Sequence, residues 1–237
     1  MIRKHFQYRS TITTILAKQR SEIKAAEEAM IRARQEVEEV ISQDDFFKTT
    51  FDPYRPPDID LPEAPQRMVS ASESAGVGPM AAVAGTIAWA GVEAMQEHGA
   101  EFGVIDNGGD IALISDRELF IGIYAGQSEL SGNMAFRLPP QERVLGICTS
   151  SATVGPSISF GCADAVTVFS HDVSLADAWA TSLCNRASVC EDTLFSPLEN
   201  TAVEGAFIII NDEVWGWGQV PEVIEAQVDE GLITAGR

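Results

Sequence analysis

Phe102-Gly-Val-Ile-Asp-Asn-Gly-Gly-Asp-Ile-Ala-Leu-Ile114 reads as two short apolar runs, Phe102–Ile105 and Ile111–Ile114, flanking Asn107-Gly108-Gly109-Asp110. Asn-Gly is a strong hairpin signal, because tight turns need positive φ and glycine supplies it without a steric cost. An antiparallel pair is expected here. Further strands are read at Leu119–Ile123, Arg143–Thr149 and Ala165–Ser170, and a closing hairpin at Ala206–Ile210 and Val214–Val220 around Asn211-Asp212-Glu213. Helical character covers residues 70–98 and Leu175 to Arg186. Gly85 and Gly91 inside the first of these each cost about 1 kcal/mol relative to alanine, which a close backbone approach would explain. Strand pairs interrupted by helices predict an α+β fold: a mostly antiparallel sheet with helices packed on one face. No G-x-G-x-x-G follows a strand, so a Rossmann unit is not expected.

Working toward the N-terminus, Phe6, Tyr8, Ile12 and Leu16 alternate and predict one strand over 6–17. A helix follows from Arg20 to Gln43, with Ile23, Ala26, Met30, Ala33, Val37 and Val40 at 3-4 spacing. That stripe fits either a coiled-coil seam, and so a homo-oligomer, or a face packed on the chain's own sheet. Pro53, Pro56, Pro57, Pro62 and Pro65 then exclude helix and central strand, predicting an extended connector from Asp52 to Pro65. The expected organisation is an N-terminal strand and helix (1–52), a Pro-rich connector (53–66) and a core (67–237).

The formal net charge of the 237 residues is −19. Residues 1–45 hold equal numbers of acids and bases, so the remainder carries the whole excess. Such a body repels a phosphate backbone, and nucleic acid is not an expected partner. Arg67, Arg117, Arg137, Arg143 and Arg186 are the candidate cations for a small anion. Four cysteines without a C-x-x-C pair and three histidines argue against zinc. Cys184 and Cys190 are close enough in sequence to pair. The N-terminus lacks the apolar core of a signal peptide, and Met80 to Ala94 is too short to span a bilayer. A cytoplasmic protein with no membrane partner is expected.

Four segments could carry chemistry. In Ser174-Leu-Ala-Asp-Ala-Trp-Ala-Thr181, Asp177 and Thr181 are one helical turn apart and offer two oxygens to a hard cation; Ser174 and Asp177 equally form an S-x-x-D capping pattern. Thr149-Ser-Ser-Ala-Thr-Val-Gly-Pro-Ser157 could cradle a phosphate, or be an ordinary polar loop. Asn107, Gly108, Gly109 and Asp110 could line a site or serve only their turn. Gly76-Val-Gly-Pro-Met-Ala-Ala-Val-Ala-Gly85 could present free N–H groups to an anion, or simply cap and pack a helix.

Taken in order, Gly78-Pro-Met-Ala-Ala-Val-Ala-Gly85, Asn107-Gly-Gly-Asp-Ile111, Cys148-Thr-Ser-Ser151 with Gly155, Ser159-Phe-Gly161 and Ala176-Asp-Ala-Trp-Ala-Thr181 resemble the ApbE-like superfamily, and more closely an uncharacterised prokaryotic family related to it. The resemblance implies an α+β fold of repeated T-fold-like units. It also implies binding of FAD and Mg²⁺, and transfer of FMN to a threonine of a target protein. By the same resemblance Asp177, Thr181 and the carbonyl of Ala81 match metal ligands. Gly78, Asn107, Gly108, Gly109, Asp110, Thr149, Ser150, Ser151, Gly155 and Ser157 match segments lining the site of a flavin or other phosphorylated, nucleotide-like ligand. The pattern departs from the family at Gly78, where an Asp is typical, and at Ala84, where a Lys is frequent. It departs again at Pro156–Asp164, which replaces a His-x-x-Asp-Pro segment. These departures leave a non-catalytic binding or oligomerisation module, or a rearranged FMN transferase, as the other expectations.

Overall fold

In the computed structural model of the chain, which describes residues 1–57, 60–153, 161–187, 192–228 and 234, an eight-stranded sheet separates two apolar layers. The strands are β1 (Ile2–Tyr8), β2 (Thr11–Ala17), β3 (Gly103–Asn107), β4 (Asp110–Ser115), β7 (Gln141–Ser150), β8 (Ala165–Ser170), β9 (Gly205–Ile210) and β10 (Glu213–Gly218), in the spatial order β1-β2-β3-β4-β7-β8-β9-β10. Every neighbouring pair is antiparallel. On one face lie α1 (Arg20–Gln43), α3 (Glu63–Ala75), α4 (Val83–Glu97) and α5 (Val173–Arg186), with α2 (Phe46–Thr49) beside them. The other face is covered by a second sheet that the sequence did not announce, ordered β11 (Glu222–Glu225), β6 (Met134–Leu138), β5 (Leu119–Gly122).

Period-2 alternation assigns the two faces. In β8, Val166 and Val168 join the helical core, while Ala165 and Phe169 face the small sheet. Phe136 of β6 meets Phe169 and Phe207 edge-on, with ring centroids at 5.0 and 5.3 Å. Central strands buried on both sides read as continuous apolar runs, which is why β8 and β9 were visible in the sequence.

The expected strand over 6–17 is a hairpin. Arg9 takes φ 54, and Tyr8 pairs with Thr11. No glycine or asparagine marks this turn; Arg9 is held by an ion pair to Glu38 and lies over the Tyr8 ring. The turn also reassigns the stripe: Phe6 packs with the helical core, whereas Leu16 packs with the small sheet. The whole hairpin extends the main sheet, because Ala17 pairs with Gly103.

Helix α1 buries Ile23, Ala26, Met30, Ala33, Val37 and Val40 inside its own chain, chiefly against α4. The stripe is therefore already used and does not form an exposed seam. Its N-terminus is closed by Glu22, whose carboxylate accepts the Lys18 and Gln19 N–H groups at 2.9 and 2.8 Å. The Pro-rich stretch ends earlier than expected, since α3 begins at Glu63. Pro65 fits its first turn, where an N–H would lack a helical acceptor anyway.

The expected helix over 70–98 is two helices bent by 107° at Gly76-Val77-Gly78, followed by a 3-10 turn over Pro79–Ala82. Gly76 supplies the left-handed C-cap of α3, with φ 69. Gly78 is buried for a different reason. A Cβ there would overlap the carbonyl oxygen of Thr50 and lie 3.2 Å from Phe51 Cα. Inside α4, Gly91 gives room to Met30 and Ile105. No single helix among the described residues is long and apolar enough to cross a membrane.

Because the atoms facing Gly78 are backbone and cannot swing away, Gly78→Ala is expected to destabilise the fold by about 1–3 kcal/mol. Urea unfolding monitored by circular dichroism measures it; an unchanged midpoint would contradict the close approach.

Candidate functional site

The Asn107–Asp110 hairpin turns on Gly108 and Gly109, both at positive φ (73 and 106), as a two-residue turn with two left-handed positions demands. Asp106 Oδ1 accepts the Gly109 N–H at 2.9 Å, and Asn107 Nδ2 donates to the Ala84 carbonyl of α4 at 3.0 Å. The hairpin is thus fastened to the start of α4. Asp110 stands opposite Cys148 of β7, on the helix-facing side.

Asp177 does not cap its own helix as the S-x-x-D pattern allowed. Helix α5 begins at Val173 and is capped by Asp172, whose Oδ1 accepts the Leu175 N–H at 2.9 Å. Ser174 instead shares a hydrogen bond of 2.7 Å with Thr86 Oγ1 of α4. Asp177, one turn deeper, caps the neighbouring helix. Its Oδ2 accepts the Gly85 N–H at 2.8 Å, and the Ala84 N–H also donates to it. Gly85 is required for this approach, since a Cβ there would stand 2.9 Å from both Asp177 Cβ and the Val173 carbonyl. First-turn amides of α4 have no helical acceptors, so a carboxylate is well placed among them.

The two acids share one electrostatic environment. Burial pushes the Asp177 carboxyl up to about 7, against the two amide hydrogen bonds that favour its charge. Asp110 is raised well above the usual carboxylate range by burial, then by the negative fields of Asp177 and Asp106, although the Thr149 N–H and the Cys148 thiol donate to it. The Cys148 thiol is raised by burial and by the Asp110 and Asp177 carboxylates, and its Sγ lies 3.6 Å from the Val173 carbonyl. The segment of β7 facing Asp110 falls within the strand expected at Arg143–Thr149; its pairing with β4 is long-range and leaves no local signal.

The remaining predicted residues divide. Thr181 lies half-buried one turn beyond Asp177 on α5. Ala81 lies half-buried in the 3-10 turn that packs against α5, its N–H donating to the Gly78 carbonyl at 3.1 Å. Thr149 faces away from Asp110 and bonds Thr167 Oγ1 at 2.9 Å, so its side chain belongs to the opposite face of the sheet. Ser150 returns to the helix-facing side, and Ser151 opens the loop, its Oγ accepting the Thr153 N–H at 3.1 Å. Gly155 and Ser157 lie outside the described residues, as does Cys190 with its expected pairing to Cys184. Gly78 is packed against Thr50. A shallow cleft of about 600 Å³ beside Arg143, His171 and Gln219 lies toward the other end of β7 and gathers none of the motif residues.

The donors expected from the sequence are all oxygens, and of these the structure brings the carboxylates of Asp177 and Asp110 into one electrostatic environment. Among the described residues no three His, Cys, Asp or Glu side chains form a metal-binding group. A set with few protein ligands suits Mg²⁺, which keeps several of its waters, and does not suit zinc.

With this geometry in view, comparison with solved structures gives the class of fold. The apbe protein of Thermotoga maritima aligns with a TM-score of 0.57 at 11% identity, over 100% of this chain and 99% of that one. The Flavin Transferase ApbE of Vibrio cholerae gives 0.55 at 13% identity, over 91% and 96%. The likeness is one of fold: this is an ApbE-like α+β protein. A family model described as AbpE bacteria matches residues 2–194. UPF0280 proteins of Methanosphaerula palustris and Methanoculleus marisnigri are 60% and 58% identical, covering 100% of this chain and 99% and 96% of theirs. The chain belongs to this ApbE-related UPF0280 family.

A raised carboxyl holds its proton in the folded chain over a range where the unfolded chain has released it. Stability should therefore fall as pH rises from about 4 toward 7, and level off above the folded pKa. Asp177→Asn, which can still accept the Gly85 N–H, should make this slope shallower in urea unfolding between pH 5 and 8. An identical slope in the variant would show that Asp177 titrates normally.

Proposed function

We propose that the chain binds a phosphorylated, nucleotide-like small molecule together with Mg²⁺, where the start of α4, the β3–β4 turn and α5 converge. The observation that carries this reading is the fixed position of Asp177: bound to the first amides of α4, beside Asp110, and one turn from Thr181. Two neighbouring carboxylates with little charge compensation repel each other and any anion. A divalent cation among Asp177, Asp110, Thr181 and the Ala81 carbonyl offsets that charge and gives phosphate oxygens a partner. In a body whose excess charge is negative, a bridging cation is the direct way to hold an anionic ligand. When bound, Mg²⁺ would supply neutralisation of charge at a phosphoanhydride. The protein holds the donors in place: Gly85 by leaving room, Asn107 by fixing the hairpin to α4, and Ser174–Thr86 by locking α4 to α5.

A flavin nucleotide is the first ligand to test, because the fold neighbours are described as flavin transferases. Transfer of FMN to an acceptor is a second reading, supported by the resemblance of Ala81, Asp177 and Thr181 to the metal-ligand positions of the ApbE-like motif. Incubation with FAD, Mg²⁺ and a threonine-containing acceptor, read by in-gel flavin fluorescence, tests it separately from binding.

Thermal unfolding with FAD, FMN or ADP, each with and without Mg²⁺, tests the binding reading. A ligand at a hundredfold excess over its Kd should stabilise the protein by about 2.7 kcal/mol. The shift should require Mg²⁺, be larger at pH 8 than at pH 5 because the cation needs ionised carboxylates, and vanish in Asp177→Asn. Shifts that ignore Mg²⁺, or that survive in Asp177→Asn, would rule the arrangement out.

A further inference from the structure

The hairpin that carries Asp110 turns on Gly108 and Gly109, which bring no side chains to pack and restrain the backbone least of all residues. Its position must come from the residues around it. On the helical face Asn107 fastens it to the Ala84 carbonyl. Asp106 lies on the reverse face, since strand alternation places it with Val104, and both Val104 and its neighbour across the turn, Ile111, pack toward the small sheet. From there Asp106 Oδ1 accepts the Gly109 N–H at 2.9 Å and closes the turn.

Asp106 is held in turn by a residue that none of the motifs includes. Thr234 is buried, and its hydroxyl shares hydrogen bonds with Thr14 Oγ1, at 2.7 Å, and with the Asp106 carboxylate. Its main-chain N–H donates to the same carboxylate. Thr14 is the cross-strand neighbour of Asp106, so one threonine from far along the chain ties β2 to the turn between β3 and β4. Burial raises the Asp106 carboxyl above its usual range, while the Thr234 and Gly109 donors and the charge of Arg3 pull it back. A carboxylate in such surroundings points where its donors are, because turning away from them leaves it unpaired. We propose, building on the reading of the site given above, that Thr234 is a positioning residue of the cation site, setting the place of Asp110 through Asp106 and the Gly109 N–H. The hairpin is then gripped from both faces, by Asn107 on one and by Thr234 through Asp106 on the other.

Calorimetry of FMN binding over a series of Mg²⁺ concentrations gives the Mg²⁺ needed for half-maximal binding in the wild type, Thr234→Val, Thr234→Ser and Thr14→Val. Valine keeps the shape and main-chain N–H of threonine and lacks its hydroxyl. Thr234→Val should raise the Mg²⁺ requirement about tenfold, the worth of one hydrogen bond to a charged group. Thr234→Ser should return it to the wild-type value, which a loss of packing alone would not do. Thr14→Val removes the partner of Thr234 on β2, leaves the residues of the turn untouched, and should raise the requirement in the same direction. Urea unfolding checks that each variant is folded in the assay, and should Thr234→Val not fold, Thr14→Val decides. An unchanged requirement in the valine variants, or a serine variant as poor as valine, overturns the positioning role and leaves the cation site standing. Wild-type protein that binds none of FMN, ADP or inorganic pyrophosphate with Mg²⁺ overturns the site and the role together.

Discussion

The hydrogen bond from the Gly85 N–H to the Asp177 carboxylate fixes the geometry of the helical layer where α4, α5 and the β3–β4 hairpin meet. It joins α4 to α5 at a point where each helix has an obligation: α4 must satisfy its first amides, and a buried Asp on α5 must find donors. Neither requirement can be met elsewhere without separating the helices. The glycine at 85 and the Ser174–Thr86 contact are consequences of that junction. So is the hold of Asn107 on the Ala84 carbonyl, which brings the β3–β4 hairpin to the same place.

The junction is electrostatically incomplete. Two amides do not fully compensate a buried carboxylate, and the second acid, Asp110, adds its field to the first. A structure built only for stability would place an apolar pair or an arginine here. The chain instead has both acids, with the small residues Ala84 and Gly85 directing their amides at Asp177. Of the departures from the ApbE pattern, Ala84 lies within this junction, its N–H donating to Asp177. At position 78 the structure gives a physical reason: the Thr50–Phe51 crossing occupies the space a side chain would need.

Much of the fold was legible because its signals are local. The Gly108-Gly109 and Asn211-Asp212 turns, the apolar runs of β8 and β9, and the 3-4 spacing of α1 each report on a few neighbouring residues. The features missed depend on distant partners or on unmarked turns. Arg9 takes a left-handed conformation through Glu38, far along the chain, so the N-terminal hairpin read as one strand. β6 and β11 are short and pair only with each other and β5, leaving little pattern to see. In the site, Asp177 and Thr181 were legible as oxygens on one helix face. That Asp177 caps a different helix was not, because capping across helices has no fixed spacing. Thr149 was misjudged as part of a cradle because strand parity, which turns it toward Thr167, depends on where β7 starts.

The pairing of β2 with β3 has a consequence for how the molecule comes to be. Ala17 meets Gly103 only after α1, α3 and α4 have been made and laid between them. The N-terminal hairpin leaves the ribosome before these helices and must wait, with the β2 edge unpaired, for the strand that completes it. Closing so long a loop costs entropy before it returns any contacts, so joining the hairpin to the sheet is a late event in folding. β1 stays at the edge of the finished sheet, where exposed Lys4 and His5 keep it from offering a flat apolar strand to other chains.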